Sequence, residues 1–189
     1  MSERVEPRAG DEVVPPAARE MHWIASAQHG DREAFSRLYE AYAPMVHGVL
    51  LAHARATEIN DLVHDVFVAA LENIARLDEP RRFGAWLCTI ARNLARDDHK
   101  RRRPEAQLVD EPRDTTRCDD DHEEAARALS AVRGLPQAYR ETLVLRLVEG
   151  LSGPEIAQRT GLTPGSVRVN LCRGMKLLRE QLDARGGER

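Results

Sequence analysis

Between Ser152 and Leu182 the chain reads SGPEIAQRTGLTPGSVRVNLCRGMKLLREQL, and its small, turning and capping residues fall at the intervals that two helices crossing at a tight turn require. Ser152 is placed to cap a short helix carrying Ile156 and Ala157, and Ala157 is small where the next helix must cross. Gly161 suits the left-handed turn, Leu162 is expected to plug the gap behind it, and Thr163 caps a longer helix whose Val167 packs back between the two. On that second helix Val167, Leu171, Leu178 and Leu182 read as the inward face. Ser166, Val169, Arg173 and Lys176 recur three, four and three residues apart on the outward stripe. A solvated helix face has the same look, but a stripe carried on a helix-turn-helix suits the DNA major groove. Ser166 and the backbone amides near the N-terminus can hold phosphate, Arg173 can reach a guanine edge or another phosphate, and Arg168 and Arg179 can clamp the flanking backbone.

The rest of the chain speaks the same helical language, and no segment alternates in the manner of a strand. Residues 1–19, with Pro7, Pro15 and Pro16, read as a disordered tail, and order is expected from about Met21. Gly30-Asp31 ends one helix and caps another running through Phe35, Leu38, Tyr39 and Tyr42 to Pro44, which bends that helix or starts its continuation. Ile59, Leu62, Val63, Val66, Phe67, Ala70, Leu71 and Ile74 step three and one along one helix face, opposite the polar surface of Asp61, His64, Asp65, Glu72 and Asn73. Phe83, Trp86, Leu87, Ile90, Ala91 and Leu94 repeat the pattern, with Arg92, Asn93, Arg96, Lys100 and Arg103 on the back. A further helical pair runs from near His122 through Leu135 and from Pro136 to Gly150. The expected fold is therefore all-α: a helical domain over 20–103, a flexible acidic linker over 104–121, a helix-turn-helix domain over 122–184 and a short C-terminal tail over 185–189.

The formal net charge of -3 averages unlike parts. Arg96 to Arg103 reads RDDHKRRR, five basic residues against two acidic ones, whereas Asp110 to Glu124 carries eight acids. Residues 127–189 hold eleven Lys or Arg and six Asp or Glu, a balance of +5. The near-neutral total therefore conceals two basic stretches and an acidic run between them, so it does not speak against a nucleic-acid partner.

Other function classes find little support. No window approaches 18 consecutive apolar residues and the N-terminus has no apolar signal core, so a cytoplasmic protein is expected. Cys88, Cys118 and Cys172 are too widely spaced for a zinc site or a disulfide framework and read as reduced thiols, Cys88 and Cys172 as small packing residues. Cys118 with Asp119, Asp120, Asp121 and His122 lacks a second cluster of metal ligands and reads as linker. No phosphate-cradling glycine loop, catalytic triad order or nucleophile elbow is visible; neither an enzyme nor a cofactor or metal is expected.

Four stretches in order, GDREAFSRLYEAYAP, NDLVHDVFVAALENI, FGAWLCTIARNLARDDHKRRR and LPQAYRETLVLRLVEGLSGPEIAQRTGLTPGSVRVNLCRGMKLLREQL, resemble a bacterial RNA polymerase sigma factor of the extracytoplasmic-function group of the sigma-70 family. The resemblance spans about residues 20–182. It implies that Asp61, Val63, His64, Asp65 and Phe67 dock on the clamp helices of the polymerase largest subunit, with the flap as a further contact. It implies that the helix from Trp86 handles the promoter -10 element, a base extruded near Asn93 and Arg92, Arg96, Lys100, Arg101 and Arg102 along the backbone. Trp86 is core by its spacing, with an edge that can stack on a base. The second domain is then the -35 reader, through Gly165, Ser166, Arg168, Val169, Asn170, Arg173 and Lys176.

Two positions depart from the family pattern. Val169 stands where many relatives carry a polar residue, and Asn170 where they carry a basic one; Val169 can touch a thymine methyl and Asn170 can pair with adenine or reach phosphate. The acidic linker is either a solvated spacer or, as the resemblance implies, a strap threading the polymerase cleft. The resemblance also implies an anti-sigma protein as partner. The competing function is a free-standing helix-turn-helix regulator binding an operator, which would need neither the acidic helix nor the basic one before the linker.

Overall fold

The computed structural model describes residues 16–54, 59–102 and 128–186, with side chains over 18–54, 59–99 and 128–183. The expected linker, residues 1–15 of the tail, Arg103, Cys118 and residues 187–189 lie outside the described residues. All regular structure among the described residues is helical: α1 (Pro16–Gln28), α2 (Arg32–His53), α3 (Ile59–Asn73), α4 (Phe83–Arg102), α5 (helical over 128–133), α6 (Gln137–Leu147), α7 (Gly153–Thr160) and α8 (Pro164–Gly186). Two single 3-10 turns, Ile74–Arg76 and Pro80–Arg82, join α3 to α4.

The helix ends follow local chemistry. Asp31 caps α2, its carboxylate accepting from the amides of Glu33 and Ala34. Pro44 sits inside α2 and the helix continues through it to His53. The first helix begins at Pro16, within the segment read as tail, because proline is tolerated in the first turn of a helix, where its missing N–H has no intrahelical partner.

The α2 helix is the axis of the first unit and packs against α1, α3 and α4. Leu38, Met45, Val46, Val49 and Leu50 from α2, Val66 and Ala70 from α3, and Phe83, Leu87 and Ala91 from α4 are buried almost completely there. Phe83 meets Tyr42 edge to face at 5.1 Å between ring centres. In the second unit α6 packs along α8, and Leu143, Val144, Leu145, Ile156 and Val167 form the core.

The two units also pack on each other, α6 against α2 and α7 against α4, so their buried side chains form one continuous cluster. Polar bridges cross the seam. Arg133 Nε donates to the Leu51 carbonyl at 3.1 Å and Arg140 Nη1 to that of Ala52 at 3.2 Å; His47 Nδ1 lies 2.7 Å from Glu149 Oε1. Arg159 donates to the carbonyl of Ala41 and lies over the Tyr42 ring, 5.5 Å from its centre.

Candidate nucleic-acid interface

The helix-turn-helix is built by its caps. Ser152 and Glu155 form a reciprocal capping box at the start of α7, the Ser152 amide donating to Glu155 Oε2 at 2.7 Å and the Glu155 amide to Ser152 Oγ at 3.4 Å. Gly161 ends α7 at φ 74°, the left-handed conformation the turn needs. Thr163 Oγ1 accepts from the Ser166 amide at 3.1 Å and lies 2.8 Å from Ser166 Oγ, which fixes the first turn of α8. Val167 and Ala157 are buried at the crossing as expected, but Leu162 is exposed: the plug behind the turn is Val167. Farther along α8, Leu178 is buried and Leu171 half-buried, whereas Leu182, expected on the inward face, is exposed among the described residues.

With α8 anchored in this way, Gly165, Ser166, Arg168, Val169, Arg173 and Lys176 are all exposed along one open face. Lys176 lies 3.9 Å from Glu180, a solvent-exposed pair of little energetic weight. Asn170 departs from the expected set: it is half-buried, and its Nδ2 donates to Thr142 Oγ1 of α6 at 3.4 Å. Its amide serves the packing of α8 on α6. Cys172, expected to pack, is exposed beside Arg173.

On α4, Asn93 and Arg96 are exposed and Trp86 is half-buried. Trp86 and Thr89 line an open groove closed on its far side by the α3–α4 connection through Leu77, Asp78, Glu79 and Arg82. The groove is a recess with an aromatic wall and polar rims, which is the chemistry an unstacked base requires. Lys100, Arg101 and Arg102 continue the same helix by backbone, their side chains lying outside the described residues.

Arg92 departs from the expected solvent-facing row. Its guanidinium grips Glu141 of α6 with two bonds, Nε to Oε1 at 2.8 Å and Nη2 to Oε2 at 2.9 Å, and its side chain is 30% exposed. His53 Nε2 lies 2.6 Å from Glu141 Oε1 on the same carboxylate. Burial opposes the charge on Glu141, which is 8% exposed, but the hydrogen bonds from His53 and Arg92 and the charges behind them outweigh it and bring the carboxyl down to about 2. Glu141 was not singled out in the sequence, where it is one acid in the first turns of an ordinary helix. Nearby, burial pushes the Cys88 thiol up to about 12, so it stays protonated and packs against Met45, its Sγ 3.8 Å from the Met45 sulfur.

The acidic face of α3 is split by burial. Asp61, His64 and Asp65 are exposed, whereas Val63 (6% exposed) and Phe67 (3%) are core. Phe67 meets Phe35 edge to face and Tyr39 at 4.4 Å between centres, so a docking partner cannot touch either residue without dismantling the unit. Leu71, expected in the core, is 49% exposed and with Val68 gives the acidic face an apolar margin.

Comparison with known proteins bears on this arrangement. Residues 38–105 match the family described as Sigma-70 region 2, and residues 125–178 match Sigma-70, region 4. RNA polymerase sigma factor CarQ of Myxococcus xanthus is 34% identical over 159 residues, covering 81% of this chain and 91% of CarQ. The ECF RNA polymerase sigma factor BldN of Streptomyces coelicolor is 34% identical over 182 residues, covering 89% of this chain and 69% of BldN. Among solved structures, CnrH of Cupriavidus metallidurans in complex with the cytosolic domain of CnrY resembles the chain with a TM-score of 0.62 at 29% identity, over 88% of this chain and 98% of that one.

Proposed function

Because the chain belongs to the extracytoplasmic-function group of sigma-70 family sigma factors, we infer that its two exposed DNA-facing helices divide a promoter between them. The protein is a promoter-directing initiation factor that binds core RNA polymerase and promoter DNA, and its family is non-enzymatic. In our reading α8 reads the -35 element through Ser166, Arg168, Val169, Arg173 and Lys176, with Gly165 letting backbone approach the phosphates. The α4 helix handles the -10 element: the groove at Trp86 and Thr89 takes an unstacked base at its rim near Asn93, and Arg92, Arg96, Lys100, Arg101 and Arg102 follow the strand. The α3 face docks on core polymerase through Asp61, His64 and Asp65, with Val68 and Leu71 as the apolar contacts in place of the buried pair.

The observation that carries this reading is the open stripe on α8, held by a capped turn and left uncovered by the other described residues. An operator-binding regulator would need that helix alone; the region 2 match and its acidic helix set that alternative aside. The domain limits of 20–103 and 122–184, cytoplasmic residence and an anti-sigma partner belong to the same proposal. The last has support in CnrH, solved with the cytosolic domain of CnrY, and no described helix is long and apolar enough to cross a membrane.

Run-off transcription with purified core polymerase on the DNA upstream of the protein's own gene tests the whole reading. Promoter-dependent transcript appearing only with the protein added is expected. Tight binding of that DNA by the protein alone, without any transcript, would restore the operator reading.

A further inference from the structure

The seam between the two units is too specific to be an incidental contact. Glu141, on the second unit, offers Arg92 of the first both carboxylate oxygens, in the two-bond geometry with which an arginine holds a phosphate. Removed from water and bonded also by His53, it is the kind of carboxylate that is costly to bury unless its partners are in place. A second observation, independent of charge, lies at the other end of α4. A methyl group on Gly84 would overlap the carbonyl oxygen of Arg159 on α7 and crowd Tyr42 Cε1 at 3.0 Å, so the close approach of α7 to α4 exists because position 84 has no side chain. Charge and shape thus both favour the closed packing.

Closure treats the two DNA faces differently. The α8 stripe stays open to solvent, whereas the Arg92 guanidinium is occupied by a carboxylate. We propose that Glu141 is an intramolecular latch: it stands in for a DNA phosphate on Arg92, holds the free protein closed, and withholds that guanidinium, though not the open groove at Trp86 and Thr89, from single-stranded DNA until the two units part. The part of this inference that concerns DNA rests on the reading of Arg92 given above; the closure itself does not.

The test uses the full-length protein free of polymerase, with two variants that break the seam by different means. Glu141→Gln removes the charge and keeps the shape, and Gly84→Ala inserts a wedge and leaves the charges alone. Helix content by circular dichroism confirms that each is folded. Small-angle scattering reads closure, and fluorescence anisotropy with a labelled 20-nucleotide oligothymidylate reads access to Arg92. A larger radius of gyration in both variants is expected, together with about tenfold tighter oligonucleotide binding, the gain when a binding-competent form populated at about one part in ten becomes dominant. Folded variants that keep the wild-type radius would overturn the latch. Variants that open with no gain in binding, and whose binding is unmoved by adding Arg92→Ala, would leave the closure standing and remove Arg92 from DNA handling.

Discussion

Val169 and Asn170 are adjacent on α8 and serve different ends: Val169 is open to solvent, while Asn170 sends its amide to Thr142 Oγ1 on α6, 3.4 Å away. One residue is a turn of about 100° on a helix, enough to carry a side chain from the reading face to the packing face.

Substitutions along α8 should therefore separate. Arg173→Ala is expected to cost about 1–3 kcal/mol in selection of the upstream promoter element. Asn170→Ala should leave the promoter profile unchanged and lower stability by about 1 kcal/mol through its lost hydrogen bond. Transcription from a library of upstream elements, paired with denaturant melts, reads both effects. A promoter profile altered by Asn170→Ala would return that residue to the reading face.

The same separation holds on α3. Phe67→Ala should cost about 3–5 kcal/mol of stability, as loss of a buried aromatic does. Exchanging Asp61 and Asp65 for Lys, or Val68 and Leu71 for Ser, should weaken association with core polymerase while the melting temperature hardly moves. Competition for core against a reference sigma factor supplies the first measurement and thermal melts the second. Undiminished association after the Asp exchange would remove α3 as the docking helix.

Acid should act on the seam through Glu141. Its carboxyl titrates near 2 in the folded chain against an ordinary 4.5, so the unfolded state binds the extra proton between those values. The stabilisation it provides is complete above about pH 4.5 and is lost as pH falls toward 2, on the order of 3 kcal/mol in all. The gap in unfolding free energy between wild type and Glu141→Gln should thus shrink by that amount between pH 5 and pH 2. A gap independent of pH would mean that the carboxylate is not held by charge.

The turn itself is the most local of the predicted sensitivities. Gly161→Ala forces a Cβ into the left-handed region at φ 74° and brings it to 3.0 Å from Ala85 Cβ, for a loss of about 1–2 kcal/mol. Ser152→Ala removes one half of the capping box, for about 1 kcal/mol. Chemical denaturation of the full-length chain checks both, and a Gly161→Ala midpoint equal to that of wild type would contradict the turn geometry.

How far a feature can be read from sequence depends on how local its cause is. The Ser152 cap, the left-handed glycine and the Asp31 cap are legible because each has a local cause, whereas the Glu155 half of the capping box came only with the structure. Periodicity gave the apolar face of α3 but not its edges, so Leu71 was placed inside, and the resemblance put the buried Val63 and Phe67 in the docking set. The seam was not legible: Glu141 meets Arg92 across 49 positions and His53 across 88, and no local pattern records such a pairing. Nor does charge counting separate an arginine that faces solvent from one that grips a carboxylate.

Arg133 and Arg140 also do something that neither unit could do for itself. The Leu51 and Ala52 carbonyls they hold lie in the last turn of α2, where a helix has no amides left to offer. The first unit thus borrows its helix terminus from the second. When the units separate, that turn is left to water, and its amides should exchange with solvent hydrogen faster than the rest of α2. Because the chain continues from there toward Ile59 and the acidic face beginning at Asp61, parting the units should loosen the base of the polymerase-facing helix: fraying at one end of α2 would report, at a distance, that the promoter-reading half has let go.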